Sequence, residues 1–578
     1  MHLFCITKPK YREFYSRQEN PAEAPVAHPV ASGLKHVYPF VAFFVSLLIL
    51  LGTSEMLPLT WDEGESYDRA EKILTWCHAE QPFSQAAIEK YWIFTTQIEG
   101  HPAGYGIVIA VGQVFSQPFL SPKTSLRFGP IFLFAVAIGA VYYRVAKKNG
   151  DTAAVLSVAA ILLTPRLFAH AHIAACDGSL TAAWLLAWAT FDSLFDKSTK
   201  RKAFAVIVWG CCLGLVMSMK FTGWIAPVAF GMIVVSRIRS FGWKWIPLAV
   251  LVPFFVFYLL NPPLWFSPIH GLVKFFMLNT NRSDFNISIQ FLGRMYNLDH
   301  PLPWYNTIVW TLITVPLGFL LVVLFGICTF LQKRHRNPDK LWFCASILVS
   351  PLLLFVVRSI PGTPPHDGVR LFVTAYAFVA IFIGISAALI CKLKYCGIGI
   401  GLVSVAIIYG FGMFNTYWYS PQWLSYYNAV IGGLAGAQRA GMEPTYYWDS
   451  LDREVCIWLE KNTGPNEIVV FTASSPKSLT LQKKWGRLRT EYYRKNDPVL
   501  KNRKIKYYVL QRRPSGEYAR DKTLIKQAKP VYTKYVKRGG FWIWRLDNTP
   551  ILEVYDINDL LKVNEKAAQL SKKLSPND

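Results

Sequence analysis

The sequence predicts a polytopic α-helical membrane protein of about eleven transmembrane helices, N-terminus inside, with a small extracytoplasmic α/β domain at its C-terminal end. Three observations carry that prediction. Apolar residues fill 52% of the 578 positions, and they gather in blocks long enough to cross a bilayer. Alternate loops joining the blocks are basic, and the loops between them carry few basic residues. From about Ser420 the blocks stop, and a mixed polar pattern with short strand-like runs begins.

The apolar blocks lie at about 38–59, 126–146, 152–173, 178–195, 203–219, 221–236, 244–262, 304–331, 341–358, 370–391 and 396–417. The first 36 residues are polar and basic, and no small-residue cleavage site follows the first run, which therefore reads as an uncleaved signal anchor. Basic residues cluster in alternate loops: Lys147/Lys148, then Lys197/Lys200/Arg201/Lys202, Arg237/Arg239/Lys244, Lys333/Arg334/Arg336/Lys340 and Lys392/Lys394. By the positive-inside rule these loops and segment 1–36 are cytoplasmic, which sets the opposite loops and the tail outside.

Two outer loops are long. The first, about 60–125, holds eight acids and only three basic residues before His101. Its apolar stretch Pro102–Leu120 would invert every later loop if it crossed, so it is expected to lie in or near the outer interface. The second, about 262–303, is rich in aromatics, Asn and Pro, and loops of such length often act as lids. The transmembrane domain thus covers 37–419, and the extracytoplasmic domain 420–578. In that domain 28 Lys/Arg stand against 16 Asp/Glu. Leu451–Lys461 reads as a helix, and Glu467–Phe471, Ile505–Gln511 and Phe541–Leu546 read as strands, with the aromatic segment Tyr417–Tyr427 docking the domain. The ten cysteines form no metal-binding pattern; Cys77 and Cys456 fall on the same side, and pairing between them stays open.

Charges at the ends of apolar runs are costly, and each marks a functional hypothesis. Trp61-Asp62-Glu63 follows the first run directly, where a carboxylate beside a low-dielectric region can serve as a general base. Acids at the start of an interfacial helix explain the same residues structurally. Asp177 sits in a short turn on the same face, preceded by Arg166, His170 and His172; capping of the next helix is its structural alternative. Two residues apart on a helix, the histidines do not share a face, so no metal site is expected. Lys220 is the lone charge between two apolar runs, suited to a phosphate oxygen or to snorkelling. Arg370 follows His366-Asp367-Gly368-Val369 and can grip a phosphate bidentately or anchor at the interface. His101-Pro102 opens the interfacial helix, a place structure already explains.

All these groups map to one outer surface: acids with cations, as a base and a phosphate clamp require. No Walker A loop or GxGxxG turn is present, so a phosphate-linked donor would be presented by the membrane. The chemistry implied is transfer from such a donor to a hydroxyl acceptor. No cofactor is required, although a divalent cation is compatible, and no nucleic acid is implied. A transporter or lipid flippase is the alternative from another class, but the repeated halves with interrupted spans that such proteins show are not visible.

The order of these motifs resembles the GT-C membrane glycosyltransferases. The similarity is to the dolichyl-phosphate-mannose–protein mannosyltransferase group and its bacterial relatives, including the lipid A aminoarabinose transferase. It rests on Trp61-Asp62-Glu63, His101-Pro102, Asp177, Ser218–Gly223, His366–Phe372, Leu424–Asn428 and Thr445–Asp449, and covers about residues 38–450. The resemblance implies a polyprenyl-phosphate-linked sugar donor and inversion at the anomeric carbon. It also implies that Asp62, with Glu63 beside it, is the first-loop catalytic acid and Asp177 the second acidic site. Lys220 and Arg370, with Arg166, would contact the donor phosphate, and His101, His172, His366 and Asp367 would border the cavity. The large lumenal repeat domains of the protein mannosyltransferases are missing, which weakens any specific expectation of protein as acceptor over lipid or glycan.

Overall fold

The structure, a computed structural model, describes residues 37–195, 201–281, 286–333, 338–395, 397, 399–494, 504–536 and 549–562. The basic segment 1–36, Lys197, Lys200, Arg334, Arg336 and the expected strand Phe541–Leu546 lie outside the described residues.

Every apolar segment expected to span falls on a helix or on a pair of helices. The chain begins with α1 (Tyr38–Ser54); the first long loop then holds α2 (Trp61–Cys77), α3 (Gln85–Tyr91) and α4 (Gly104–Ser116). Next come α5 (Pro122–Asn149), α6 (Asp151–Leu162), α7 (Pro165–His172), α8 (Cys176–Phe191) and α9 (Lys202–Met219). They are followed by α10 (Ile225–Ser236), the short α11 (Ile238–Phe241) and α12 (Ile246–Leu259). The second long loop carries α13 (Pro268–Thr280) and a hairpin of β1 (Ile289–Phe291) and β2 (Arg294–Tyr296), so it is structured over most of its described length. The helical body ends with α14 (Asn306–Thr314), α15 (Leu317–Lys333), α16 (Pro338–Ser359), α17 (Val373–Ile390) and α18 (Ile400–Trp418).

Among the described residues, five helical stretches are long and apolar enough to cross a bilayer, or up to seven if each of two bent pairs is one span. The bends modify the expected spans. α6 and α7 meet at 76°, and α14 and α15 at 119°. A proline stands at each bend and disfavours helical backbone at the residue before it. Thr164, before Pro165, and Val315, before Pro316, both have extended backbone. At 13 residues, α4 is about 20 Å long and too short to cross alone. Central α17 is apolar on all sides and 83% buried, whereas α18 is only 22% buried. Leu402, Phe411 and Met413 on α18, with Phe40, Phe44 and Leu48 on α1, face outward. An apolar surface of that kind suits hydrocarbon.

After α19 (Gly433–Arg439) the C-terminal unit runs α20 (Arg453–Asn462), β3 (Ile468–Phe471), α21 (Pro476–Lys484), β4 (Glu491–Arg494), β5 (Ile505–Gln511), α22 (Ala519–Gln527), β6 (Tyr532–Tyr535) and β7 (Pro550–Asp556). Its sheet order is β4-β3-β5-β7-β6, with β3 parallel to β4 and β5 and β7 antiparallel to β5 and β6. Alternate residues of a strand face opposite ways. Val469, Phe471, Val509 and Val554 therefore pack with Val455 and Leu459 of α20 and Leu479 of α21. Val470, Tyr508, Leu510 and Tyr555 pack with Leu524 of α22 on the other face.

This unit docks chiefly through α21 onto α2. Ser478 Oγ donates to the Thr60 carbonyl at 2.9 Å, and Lys477 pairs with Glu65 and Asp68. Those two acids thus serve the docking contact. The aromatic segment expected to dock the domain packs on α7 instead, where Trp423 stacks on His172 at 5.5 Å. Cys77 and Cys456 are both free thiols.

Candidate active site

The site is built on the turn from α1 into α2. Thr60 caps α2 in a capping box with Glu63, whose Oε2 accepts from the Thr60 backbone N–H at 2.9 Å. Glu63 Oε1 accepts from Arg127 Nε at 2.6 Å and from the Ala174 N–H at 3.2 Å, and Oε2 accepts from Arg127 Nη2 at 2.8 Å. The remaining donors of Arg127 reach the carbonyls of Ser54, Leu57 and Pro58 at 2.6, 2.9 and 2.8 Å. All the hydrogen-bonding capacity of this guanidinium is thereby used, and both side chains are fully buried. Burial alone would raise the proton affinity of Glu63, but the charge and hydrogen bonds of Arg127 bring it below the ordinary carboxylate range. The pair ties the end of α1, the start of α2 and the approach to α8 into one knot.

Consecutive helix residues point about 100° apart, and Asp62 projects away from this knot toward Arg370. Arg370 gathers three carboxylates. Its Nε donates to Asp177 Oδ2 at 2.8 Å, its Nη1 to Asp367 Oδ2 at 2.6 Å, and its Nη2 to Asp62 Oδ2. Lys220 Nζ donates to Asp177 Oδ1 at 2.5 Å. The face of Tyr447 covers the guanidinium at 4.3 Å. Asp62 retains 28% side-chain exposure, against 3% for Asp177 and 3% for Asp367, so it is the open member of the cluster.

Local backbone explains how these groups reach one another. Lys220 sits in extended backbone where α9 gives way to a 3₁₀ turn. That turn presses on α9 at Gly223, where a Cβ would lie 2.2 Å from the Val216 carbonyl. Asp367 adopts left-handed backbone at φ +59°, as a short polar side chain tolerates, and presents one oxygen to each of two arginines. Asp367 Oδ1 accepts from Arg513 Nη1 at 3.1 Å, and Arg513 comes from the C-terminal unit. Burial raises the proton affinity of Asp62, opposed by Arg370. For Asp367 burial acts the same way, but Arg513 and then Arg370 outweigh it and hold the carboxyl below its ordinary range.

The other expected residues have separate settings. Arg166 donates through Nε to the Tyr426 carbonyl at 3.0 Å and lies among the rings of Tyr427, Tyr446 and Trp310 at 4.6, 4.9 and 5.4 Å. His172 spends both ring nitrogens, on the Phe168 carbonyl and on Thr53 Oγ1, each at 2.7 Å. His101 lies edge-on to Tyr105, and its carbonyl accepts from Arg69 Nη1 at 3.4 Å. His366 flanks Asp367, and burial pushes its imidazole down to about 3, so it is neutral at physiological pH. Among the described residues, no group of three His, Cys, Asp or Glu side chains is placed to hold a metal ion.

Arg127 and Arg513 do not stand out in the sequence, and Tyr447 lies in the Thr445–Asp449 motif without a role assigned to it. Arg127 carried a usable signal, a charge at the first turn of an apolar run. Arg513 carried none, being one of 28 basic residues in the tail.

Residues 108–265 match the family model described as dolichyl-phosphate-mannose-protein mannosyltransferase. Among solved structures, the fold is similar to ArnT from Cupriavidus metallidurans in the apo state, with a TM-score of 0.51 and 13% identity over 89% of this chain and 97% of that one. The same protein bound to undecaprenyl phosphate gives 0.49 and 12%, over 90% and 98%. The apo Archaeoglobus fulgidus oligosaccharyltransferase gives 0.46 and 11%, over 83% and 70%. No curated protein matches the chain. Together these give the chain an ArnT-like fold and a family match confined to residues 108–265.

Proposed function

We propose that this protein is an inverting glycosyltransferase that moves a sugar from a polyprenyl-phosphate-linked donor to a hydroxyl of a protein, lipid or glycan at the extracytoplasmic membrane face. The observation that carries the reading is the convergence of Asp62, Asp177 and Asp367 on Arg370, with Lys220 alongside. Asp62 takes the proton of the acceptor hydroxyl as its oxygen attacks the anomeric carbon. The bond from that carbon to the phosphate oxygen breaks, and the lipid phosphate leaves with the electron pair. Lys220 and Arg370 stabilise the charge it gains, and positioning and electrostatics supply most of the acceleration.

Each nitrogen of Arg370 already meets a carboxylate in the structure, and in this reading a donor phosphate takes the place of one of them. Asp62 is the least enclosed. Donor binding at Arg370 therefore releases the base at the moment it is needed. Glu63 serves the scaffold in this reading, since Arg127, Thr60 and Ala174 take its oxygens. Arg166 steadies the segments around Tyr426 and Tyr446. An apolar cavity of about 330 Å³, lined by Trp76, Trp92 and Trp265, opens along α2 and suits a lipidic substrate. No cofactor is required, and a divalent cation bridging the donor phosphate is compatible; transfer measured in chelator separates the two cases.

The reading keeps eleven crossings in a cell membrane, N-terminus inside and C-terminal domain outside, which cysteine labelling from each side tests. Activity is tested by incubating the purified protein with synthetic polyprenyl phosphates carrying different hexoses or pentoses. Acceptor-dependent release of lipid phosphate, with an inverted anomeric configuration in the product, is the expected outcome. A protein that neither binds the lipid phosphate nor transfers any of the sugars overturns the proposal.

A further inference from the structure

We infer that Arg513, carried by the C-terminal domain, is a positioning residue for the donor-phosphate site, acting on Arg370 through Asp367. This rests on the function proposed above. Arg513 is fully buried, which an arginine seldom is without dedicated partners. Its Nη1 meets Asp367 Oδ1 at 3.1 Å and the Tyr446 carbonyl at 2.6 Å. Its Nε meets Ser515 Oγ at 3.1 Å and lies 3.4 Å from Glu443 Oε2. The indole of Trp448 lies 3.7 Å from the guanidinium carbon. Arg513 is thereby fixed by the domain that carries it and by the segment Glu443–Trp448.

What it fixes in turn is Asp367. That carboxylate spends Oδ1 on Arg513 and Oδ2 on Arg370 Nη1, so it is a rigid link rather than a free acid. With Nη1 pinned, the plane of Arg370 is set, and its Nη2 edge faces Asp62 while Nε faces Asp177. In the proposed exchange, Nη2 leaves Asp62 for a phosphate oxygen, and Asp367 must hold the rest of the guanidinium still. Without Arg513, a buried carboxylate would be left half-paired, free to rotate or to take a proton. A lysine would restore the charge but not the planar fork that spans a carboxylate and a carbonyl against an indole face. The C-terminal domain thus contributes to the site directly, and the phosphate clamp is complete only when the domain is docked.

The test uses the full chain in detergent, with a polyprenyl phosphate as probe, and reads its Kd together with donor KM, kcat and thermal stability. Arg513→Met should weaken Kd and raise KM by about 10- to 100-fold, as small misplacements of a binding group do. Asp367→Asn should do the same. The double variant should bind no worse than the weaker single one, because the two residues act in series. Arg513→Lys should recover part of the loss. Unchanged Kd and KM with only a smaller folded fraction, or losses that add in the double variant, would overturn the inference. If Arg513→Met does not fold, Arg513→Lys decides: a wild-type Kd overturns it and a weakened one supports it. A wild-type protein that does not bind the probe removes the proposed function itself, and this inference with it.

Discussion

Arg370 Nη2 donates to Asp62 Oδ2, joining side chains that stand 308 positions apart in the chain. The base and the phosphate ligand of the proposed reaction are therefore each other's partner before substrate arrives. Removing the carboxylate should separate two properties that ordinarily fall together. Asp62→Asn is expected to lower sugar transfer by about 10²- to 10⁴-fold, the usual contribution of a positioned base. The same change should tighten polyprenyl phosphate binding, because Arg370 no longer has Asp62 as a competitor. Transfer at the native rate would show that another group takes the proton.

Glu63 should behave differently from its neighbour. Glu63→Gln leaves Arg127 buried without its counter-charge, and breaking such a pair costs about 3–5 kcal/mol. A lower Tm and a smaller folded yield are expected, while the surviving folded molecules retain transfer. A fully folded protein with no activity would return Glu63 to the list of bases.

Asp449 provides a pH test. It is fully buried, and neither carboxylate oxygen meets a donor in good hydrogen-bond geometry. Burial, opposed weakly by backbone N–H groups and by Arg166 and Arg513, pushes it up from 3.8 to about 6. The folded state then holds its proton where the unfolded state has released it. Stability should fall as pH rises from about 4 to about 6, and the loss persists above that window. Asp449→Asn should flatten that slope and stabilise the protein at pH 7.5 by roughly 3 kcal/mol. Parallel thermal unfolding curves of the two proteins across pH 4–8 would refute it.

Gly64 tests the docking of the C-terminal domain. A Cβ there would lie 2.5 Å from the Ser478 backbone nitrogen and 2.8 Å from Lys477 Cβ, so α21 must move. The ion pairs around this contact are partly exposed and individually worth little, so the steric term decides. Gly64→Val should speed hydrogen exchange in α21 and, through Arg513, raise the donor KM. Unchanged exchange would mean that the two elements do not pack as closely as the backbone indicates.

The sequence by itself determined which stretches become helices. Apolar runs of 16–28 residues have one stable solution in hydrocarbon, and each such run is helical here. It also determined where the charges of interest lie, since Asp62, Asp177, Lys220 and Arg370 each stand at the end of such a run. The short apolar runs within Glu467–Phe471 and Ile505–Gln511 read as strands in the same way, and the sheet buries both of their faces.

Only the tertiary structure decided what those charges do. Asp62 and Glu63 are adjacent carboxylates with the same local context, and their different partners, Arg370 and Arg127, come from helices far along the chain. Arg513 was indistinguishable from its basic neighbours until the fold buried it against Trp448. The bends after Leu162 and Thr314 were marked by prolines, but their angles depend on what each half packs against. Periodicity and charge are local properties of a chain. An ion-pair cluster drawn from four separate segments is not, because each partner is chosen by distance in space rather than along the sequence.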